Sequence, residues 1–371
     1  MSRLFRTYLL PGLVFQSVII GGGYGTGREI VEFFMSHGAL GGLFGLAVTA
    51  VAWAVVFAVA FEFARICKAY NYRAFFMALL GPFWRLFEVL FLLIALLVLS
   101  VLGSAAGEML ATSLGAPQIA GVMCLLGAIG ALAFFGGPTI ERALAWWSLL
   151  LYAVYAVFLV WVSVAHGDAI ISALQRGEVT GYWFLDGVRY AAYNLLAFVA
   201  VLFVLPYLQT RNEALISGSL AGLLGILPGV FVFLAMLAQY PEIQHEAVPV
   251  LSLLEALNSA WFFVVFQIVL FGTFVETGVG LIHAVNERIA ASFADSGGAF
   301  PQWARFALAV VMLCIAIFLA RAVGIISLIA KGYGLLSYGF IALVIAPLLT
   351  IGLVKIINTK STYAEDASES G

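Results

Sequence analysis

A run of glycines followed by a charged pair lies inside the first long apolar segment, in the string Gly21-Gly22-Gly23-Tyr24-Gly25-Thr26-Gly27-Arg28-Glu29. Each glycine in a helix interior costs about 1 kcal/mol relative to alanine, so the string predicts an interruption of the helix. Irregular backbone and ionisable side chains are tolerated inside a bilayer only where they face protein or a water-filled cavity. We therefore expect a broken first helix whose break lines a binding site.

The chemistry expected of this break follows from the two helix ends that it creates. A helix that restarts after Gly27 presents free backbone N–H groups and a positive dipole end, and glycine lets a ligand approach the backbone closely. Gly25, Thr26 and Gly27 are therefore predicted to bind a carboxylate. The helix that ends before Gly23 presents free carbonyls, which suit an ammonium group or Na⁺. Together the two ends fit a zwitterion.

An alternative is that the glycines only allow helices to pack closely. Gly21 and Gly25 have the small-xxx-small spacing of such contacts, and so do Gly23 and Gly27. That alternative does not account for the charged pair that follows. A dinucleotide-binding glycine loop is excluded because no strand precedes the string.

The composition indicates the class of protein. Of the 371 residues, 64% are hydrophobic and only 10% are charged, whereas soluble domains carry roughly 25% charged residues. The sequence therefore predicts an all-α polytopic membrane protein with the lipid bilayer as its surroundings. The net charge of −2 gives no indication of a nucleic-acid partner.

Counting about 20 apolar residues per membrane-spanning helix predicts ten spans. We expect them near 9–35, 39–64, 84–111, 117–136, 142–165, 187–209, 213–238, 259–284, 304–321 and 323–354. Residues 240–259 are expected to form a loop outside the membrane with a short amphipathic helix that could act as a lid. The spans make one transmembrane domain, 1–358, and residues 359–371 are predicted to be a disordered cytoplasmic tail.

The distribution of basic residues predicts the orientation of these spans, because cytoplasmic loops carry an excess of Lys and Arg. We expect the protein to lie in the cell (inner) membrane with both termini in the cytoplasm. In that orientation the outer loops hold Arg176 alone. The inner side then holds Arg3, Arg6, Arg65, Lys68, Arg73, Arg85, Arg142, Arg211, Arg288, Arg305, Lys355 and Lys360.

The ten spans divide into a first repeat, about 8–165, and a second repeat, about 187–355. The second repeat opens with another polar interruption, Gly187-Val188-Arg189-Tyr190-Ala191-Ala192-Tyr193-Asn194. Discontinuous helices at corresponding positions of two halves are typical of inverted-repeat transporters. We therefore predict a 5+5 inverted repeat with discontinuous helices 1 and 6, inferred from hydropathy alone.

Two further groups of polar residues fall within predicted spans. Glu276 lies in the middle of the eighth span and needs a partner or water there. Glu29 and Glu32 follow the break at i and i+3, and with Lys331 they are predicted to form an outer gate. Plain structural ion pairs are the alternative for this second group.

The first-helix string resembles the first helix of the amino acid–polyamine–organocation (APC) superfamily. Its continuation through Glu29, Glu32 and Phe33-Phe34 resembles most closely the YkvI-like amino-acid permeases. The specific match covers about fifteen residues, whereas the ten-span pattern covers the whole chain. The resemblance implies a LeuT-type fold in which a substrate lies between the breaks of helices 1 and 6.

The resemblance also implies roles for individual residues. Gly25, Thr26 and Gly27 would bind a substrate carboxylate, and Gly23 would offer a carbonyl to the amine. The opposite wall would consist of Tyr190, Tyr193 and Asn194.

In sodium-coupled relatives, the eighth helix offers neighbouring hydroxyl groups to an ion, and carbonyls of the first break complete the site. The implied ion-coupling set in this chain is Gly21, Tyr24, Thr273, Glu276 and Thr277. Glu276 stands where a second hydroxyl is expected, and a buried carboxyl can instead carry a proton. Either Na⁺ or H⁺ is therefore expected as the coupling ion, with no other cofactor.

These expectations define a secondary active transporter for a small zwitterionic solute, such as an amino acid or a derivative. A channel or a non-transporting membrane sensor is the alternative. An intramembrane enzyme would use Glu29, Glu276 and His283 as acids and bases, but the sequence contains no recognisable nucleophile–base or metal-ligand set, so no enzymatic activity is predicted.

Overall fold

The computed structural model describes the backbone of residues 3–135, 138–295, 298 and 300–359, with side chains assigned except at 17, 22–23, 133–135, 138–146, 148–149, 291–292 and 294–295. The predicted disordered tail lies almost entirely outside these residues. Within the described part the chain forms helices and their connections, without a strand. The all-helical class is therefore confirmed.

The described residues of the first half form nine α-helices of very different lengths. They are α1 (Leu10–Ile19), α2 (Gly22–Gly25), α3 (Arg28–Phe33), α4 (Gly38–Cys67), α5 (Tyr72–Leu80), α6 (Trp84–Leu114), α7 (Gln118–Phe135), α8 (Pro138–Ala165) and α9 (Gly167–Gln175).

The second half follows with α10 (Trp183–Asn194), α11 (Phe198–Val201), α12 (Arg211–Met236), α13 (Pro249–Ala256), α14 (Ala260–Asp295), α15 (Gln302–Val323), α16 (Ile325–Ser327) and α17 (Gly334–Phe340). Beyond α17 the chain stays helical, with wider turns, to residue 359.

Seven helices of the described residues are long and apolar enough to cross a membrane. An eighth results if the end of α8 and α9, which meet at an angle of 75°, form one bent span. Many large apolar side chains point outward, among them Leu114, Val164 and Phe318. A surface of this kind suits lipid, so the molecule is an integral membrane protein.

The first predicted span is broken where the glycines stand. The backbone leaves the helical conformation at Ile20 (ψ 71°), continues as the single turn α2, and passes through Gly27 at φ +81° before α3 begins. A left-handed conformation of this kind is open to glycine at little cost. The sequence therefore places the interruption correctly.

The sixth predicted span is not interrupted in the same way. After Asn194 the helix tightens into a 3₁₀ turn, Leu195–Ala197, and remains helical through Tyr207. This part contains no glycine, and the Asn194 amide donates to the Tyr190 carbonyl within the same helix, at 3.0 Å. The expected discontinuity of helix 6 is therefore a change of helical winding rather than a gap.

The long helices pack in two groups. In the first group α12 packs along α4 and α1, and α10 packs on α4. In the second, α6 packs along α7 and α15, and α14 packs on α7 and α8. Small residues allow the closest approach within the first group, because a Cβ atom on Gly222 of α12 would overlap the backbone of Trp53 and Ala54 in α4.

Candidate functional site at the first helix break

The backbone of the break satisfies its own hydrogen bonds. The Gly25 amide donates to the Gly21 carbonyl at 2.7 Å, and the Gly27 amide donates to the Tyr24 carbonyl at 3.0 Å. The Thr26 hydroxyl accepts from the Arg28 amide at 3.3 Å, which caps the start of α3. A buried amide needs a partner, and these amides find theirs inside the turn. A carboxylate would reach them only after the turn opens.

A segment between α12 and α14 covers this break. The Val250 amide, at the start of α13, donates to the Thr26 carbonyl at 3.1 Å. A Cβ atom on Gly27 would lie 3.2 Å from both Met236 and Val250. We call residues 240–257 the cover segment. Its position matches the lid predicted from the sequence.

Arg28 fastens the cover segment to α3. Its guanidinium Nη1 donates to the carbonyls of Gln244, at 2.8 Å, and Glu246, at 2.9 Å. Its Nη2 forms an ion pair with Glu32 at 3.1 Å. Lys331 is exposed, and the described residues show no ion pair between it and the two glutamates. The structure therefore does not bring the three predicted gate residues together, because Glu32 pairs with the adjacent arginine instead.

A second contact holds the cover segment at its first residue. The Tyr240 hydroxyl donates to the Glu178 carboxylate at 2.5 Å. Burial, with this hydrogen bond as a second cause, raises the pKa of Tyr240 to about 12. The hydroxyl therefore keeps its proton at neutral pH and remains a donor.

Glu29 lies on the other side of α3 and points toward α10. Its Oε2 accepts a hydrogen bond from the Tyr193 hydroxyl at 2.6 Å, and both side chains are buried. This contact joins the restart of the first helix to the sixth predicted span. The structure thus places Glu29 beside the predicted substrate wall rather than in an outer gate.

Aromatic rings surround this contact. Tyr193 stacks on Tyr333 with 4.6 Å between ring centroids, and Tyr190 packs edge-on against Phe33 at 5.6 Å. The hydroxyl groups of Tyr24, Tyr190 and Tyr333 all lie within electrostatic range of Glu29. We call Tyr24, Glu29, Tyr190, Tyr193 and Tyr333 the tyrosine cluster.

Within the described part of the chain, the hydroxyl groups of Tyr24 and Tyr190 have no hydrogen-bond partner. The Tyr190 hydroxyl interacts with the Asn194 side chain without reaching hydrogen-bonding geometry. Both residues are at most 1% exposed. Because buried polar groups are almost always paired, these hydroxyl groups mark a place where a polar ligand would be accommodated.

The helices behind the cluster fix its position. Trp53 of α4 donates to the Ala191 carbonyl, and Thr49 donates to the Gly187 carbonyl, each at 2.9 Å. On the opposite side, the Tyr155 hydroxyl of α8 donates to the Gly25 carbonyl. The break is therefore held from both groups of helices.

The predicted ion-coupling residues are partly brought together. A Cβ atom on Gly21 would lie 3.4 Å from Thr277 Cγ2 and 3.6 Å from its hydroxyl oxygen. Thr273, one turn earlier, is buried and donates to the Val269 carbonyl at 3.0 Å. Glu276 is half-buried and lies within electrostatic range of Tyr152. The carbonyls of Gly21 and Tyr24 each accept one backbone bond and keep a second lone pair.

No group of three or more His, Cys, Asp or Glu side chains with a geometry suited to a metal ion occurs within the described part of the chain. The oxygen atoms around Gly21 and Thr277 belong to backbone and hydroxyl groups, which are ligands that a hard monovalent cation accepts.

The fold and this site define an all-helical integral membrane protein with a broken first helix at its centre. No protein-family model matches the chain. The sequence is 24% identical, over 335 residues, to "Uncharacterized membrane protein YkvI" of Bacillus subtilis (strain 168), covering 89% of this chain and 92% of that protein. The similarity to YkvI predicted from the first-helix string is thereby confirmed.

The fold is similar to a crystal structure of the Eremococcus coleocola manganese transporter in complex with an aromatic bis-isothiourea substituted compound. The TM-score is 0.59 at 13% sequence identity, and the match covers 94% of this chain and 78% of that one. The fold of a membrane transporter is therefore shown, and membership of the APC superfamily stays a prediction.

Sequence reasoning missed the role of Tyr333 and the position of Glu29. Tyr333 lies two residues after Lys331, in the string Lys331-Gly332-Tyr333-Gly334. The two glycines on either side of Tyr333 were the feature that could have marked it as a site residue. Gly23 lies within the single helical turn α2, whereas the sequence predicted that the helix ends before it. The binding and coupling roles of the predicted site residues remain predictions.

Proposed function

We propose that the protein is a secondary active transporter that moves a small zwitterionic solute, such as an amino acid, by alternating access. One observation carries the proposal: the broken first helix meets the sixth predicted span through the contact of Glu29 with Tyr193. Irregular backbone and a buried carboxylate at the centre of a membrane protein are costly, and transport sites are where they persist.

The arrangement that we propose has ten spans in a 5+5 inverted repeat of the LeuT type. Seven described helices, or eight with the bent pair of α8 and α9, are long and apolar enough to cross a membrane. We propose that α1 of the broken first helix and the shorter α7 supply the other two spans. The helices also pack in two groups, with α12 on α4 and α6 on α7 and α15. We propose that these groups rock against each other around the first break, with both termini in the cytoplasm.

The conformation described here supports this mechanism as a state closed on the outer side. The cover segment lies over the break and is fastened by Arg28 and by the Val250 amide. Release of these bonds would uncover the break. The amides of Gly25 and Gly27 would become available to a carboxylate once their bonds to the Gly21 and Tyr24 carbonyls also open.

For the coupling ion we propose a site between Gly21 and Thr277, because a Cβ atom on Gly21 would lie only 3.6 Å from the Thr277 hydroxyl oxygen. Na⁺ would take carbonyl and hydroxyl oxygens there. If H⁺ drives transport instead, Glu276 on the same helix is the proposed carrier. In either case the ion acts by binding one conformation better than the other.

Manganese is the second candidate cargo, favoured by the structural similarity to a manganese transporter. Against it we weigh the chemistry of the break, whose backbone groups suit the two charges of a zwitterion. We propose neither a channel nor an enzyme, because the covered break and the buried tyrosine cluster suit binding and release of a solute.

Thermal stabilisation of the purified protein tests the choice of cargo. A specific ligand raises apparent stability by mass action, by about 2.7 kcal/mol at 100 times its Kd. We expect stabilisation by one or a few members of an amino-acid library, increased by Na⁺ or by low pH. Stabilisation by Mn²⁺ alone, with no response to any amino acid, would replace the proposed solute by a metal.

A further inference from the structure

We propose that the tyrosine cluster binds the ammonium group of the solute, with the Glu29 carboxylate as its counter-ion. The inference rests on the proposed transport of a zwitterion and adds to it the group that recognises the cationic half. It replaces the gate role that the sequence suggested for Glu29.

The geometry that carries this inference is the setting of the carboxylate. Glu29 is 5% exposed and accepts one hydrogen bond from the described residues, that of Tyr193, although an ionised carboxylate has about four acceptor positions. No cation of the described residues pairs with it, because Arg28 binds Glu32 and the cover segment. A buried carboxylate with one hydrogen bond favours a cationic partner.

The hydroxyl groups around Glu29 fit the same partner. Tyr24 is 1% exposed, and its hydroxyl finds no hydrogen-bond partner among the described residues. Tyr155, Tyr152 and Glu29 lie within electrostatic range of this hydroxyl, and so does Tyr190. A primary ammonium carries three N–H donors and no acceptor. One carboxylate and neighbouring phenolic oxygens therefore supply the acceptors that it needs.

The position also complements the carboxylate site proposed at the break. Glu29 follows Gly27 by two residues, at the start of α3, so a solute between α3 and α10 would have its ammonium group near the cluster and its carboxylate near the turn. The two halves of a zwitterion would then be recognised by different chemical groups of one short segment.

Matched ligands test the inference in the purified full-length protein. For any amino acid that stabilises the wild-type protein, the 2-hydroxy acid with the same side chain removes the ammonium group, and the decarboxylated amine removes the carboxylate. We expect Glu29→Gln to lower the affinity for the amino acid and for the amine by roughly 10- to 100-fold, since a hydrogen bond to a charged group is lost. The hydroxy acid should lose no more than about twofold in affinity, because it has no positive charge for Glu29 to pair with.

Tyr24→Phe is the second variant, and it keeps the protein testable if Glu29→Gln fails to fold. Removing a hydroxyl that has no partner should leave thermal stability unchanged while weakening amino-acid binding several-fold. Glu287→Gln is the matched control, because Glu287 is an exposed carboxylate paired with Arg305. It should bind like the wild type.

The remaining outcomes overturn the inference. Equal losses of affinity for the amino acid and for the hydroxy acid would show that Glu29 has a structural role. Unchanged affinity with loss of pH dependence would make Glu29 a proton carrier. If no amino acid or amine stabilises the wild-type protein, the proposed zwitterionic cargo is wrong, and the inference falls with it.

Discussion

At the scale of single residues, the site depends on groups that have almost no contact with solvent. Thr26 is fully buried and its carbonyl accepts from the cover segment, while Gly25 lies between Leu270 and the Tyr155 hydroxyl. Such positions leave little room for an added side chain. The glycines of the break therefore serve both its backbone conformation and its close contacts.

Gly25→Val tests this restriction. A Cβ atom at this position would lie 2.9 Å from Leu270 Cδ1. A stiff β-branched side chain would in addition cover the neighbouring amides. We expect loss of ligand-induced thermal stabilisation, measured against the same ligand with the wild-type protein. Gly127→Val is the control, because a Cβ atom there meets no other atom within 4 Å. Unchanged ligand affinity in Gly25→Val would contradict the binding role of the break.

Glu276→Gln distinguishes the two coupling ions. If Na⁺ binds beside Thr277, the substitution should lower the affinity for Na⁺. Through linkage it should then also lower the affinity for the solute. If a proton is carried, the variant mimics the protonated carboxyl, so binding should persist without pH dependence. Titration of binding against Na⁺ and pH separates these results. Wild-type responses to both ions would remove Glu276 from the mechanism.

At the scale of helices, small residues decide how the first group of helices packs. Gly218 and Gly222 of α12 face the backbone of α4 at residues 53–58, where added Cβ atoms would overlap main-chain atoms. Lipid tails are as apolar as the helix surfaces, so the hydrophobic effect does not drive helices together inside a membrane. Close packing at small residues therefore stabilises such helix pairs.

Gly222→Ala should therefore destabilise the protein, by about 1–3 kcal/mol for an overpacked contact. Gly280→Ala in α14 is the matched control, because a Cβ atom there lies in open space. Thermal unfolding in detergent measures both variants. Equal stability of the two would show that the contact between α4 and α12 is not tightly packed.

The positions of the helices were largely predictable, whereas the contacts between them were not. Runs of apolar residues predicted the long helical segments but not the short helices α5 and α9. The glycines predicted the break at Ile20–Gly27. Hydropathy carries no information on which face of α3 each carboxylate occupies. Glu29 and Glu32 are three residues apart, yet one reaches Tyr193 and the other Arg28.

The sixth predicted span shows a second limit of the sequence. Polar residues suggested a gap, but Thr49 and Trp53 of α4 bond to carbonyls of α10 and support it as a helix. Such supporting bonds come from residues about 140 positions away in the chain. A local pattern therefore could not distinguish a gap from a tightened helix.

At the scale of the whole molecule, the distribution of basic residues predicts an orientation in the membrane that can be tested. Gln175 and Glu242 are exposed in connections that are predicted to lie on the outer side of the membrane. Lys68 is exposed in a connection that is predicted to lie on the cytoplasmic side. The proposed topology places the first two on the opposite side of the membrane from the third.

Single cysteines at these positions, in a background without native cysteines, report the orientation. We expect an impermeant maleimide to label Gln175→Cys and Glu242→Cys in intact cells, and Lys68→Cys only after the membrane is permeabilised. Labelling of Lys68→Cys from outside, or protection of either of the others, would contradict the ten-span topology.

Uptake into proteoliposomes tests whether the protein moves a solute against its concentration gradient. With the stabilising amino acid as radiolabelled substrate and an inward Na⁺ or H⁺ gradient, we expect saturable accumulation above the outside concentration. Dissipating the gradient should abolish the accumulation. Entry that only equilibrates the solute, or uptake no greater than in protein-free liposomes, would contradict this expectation.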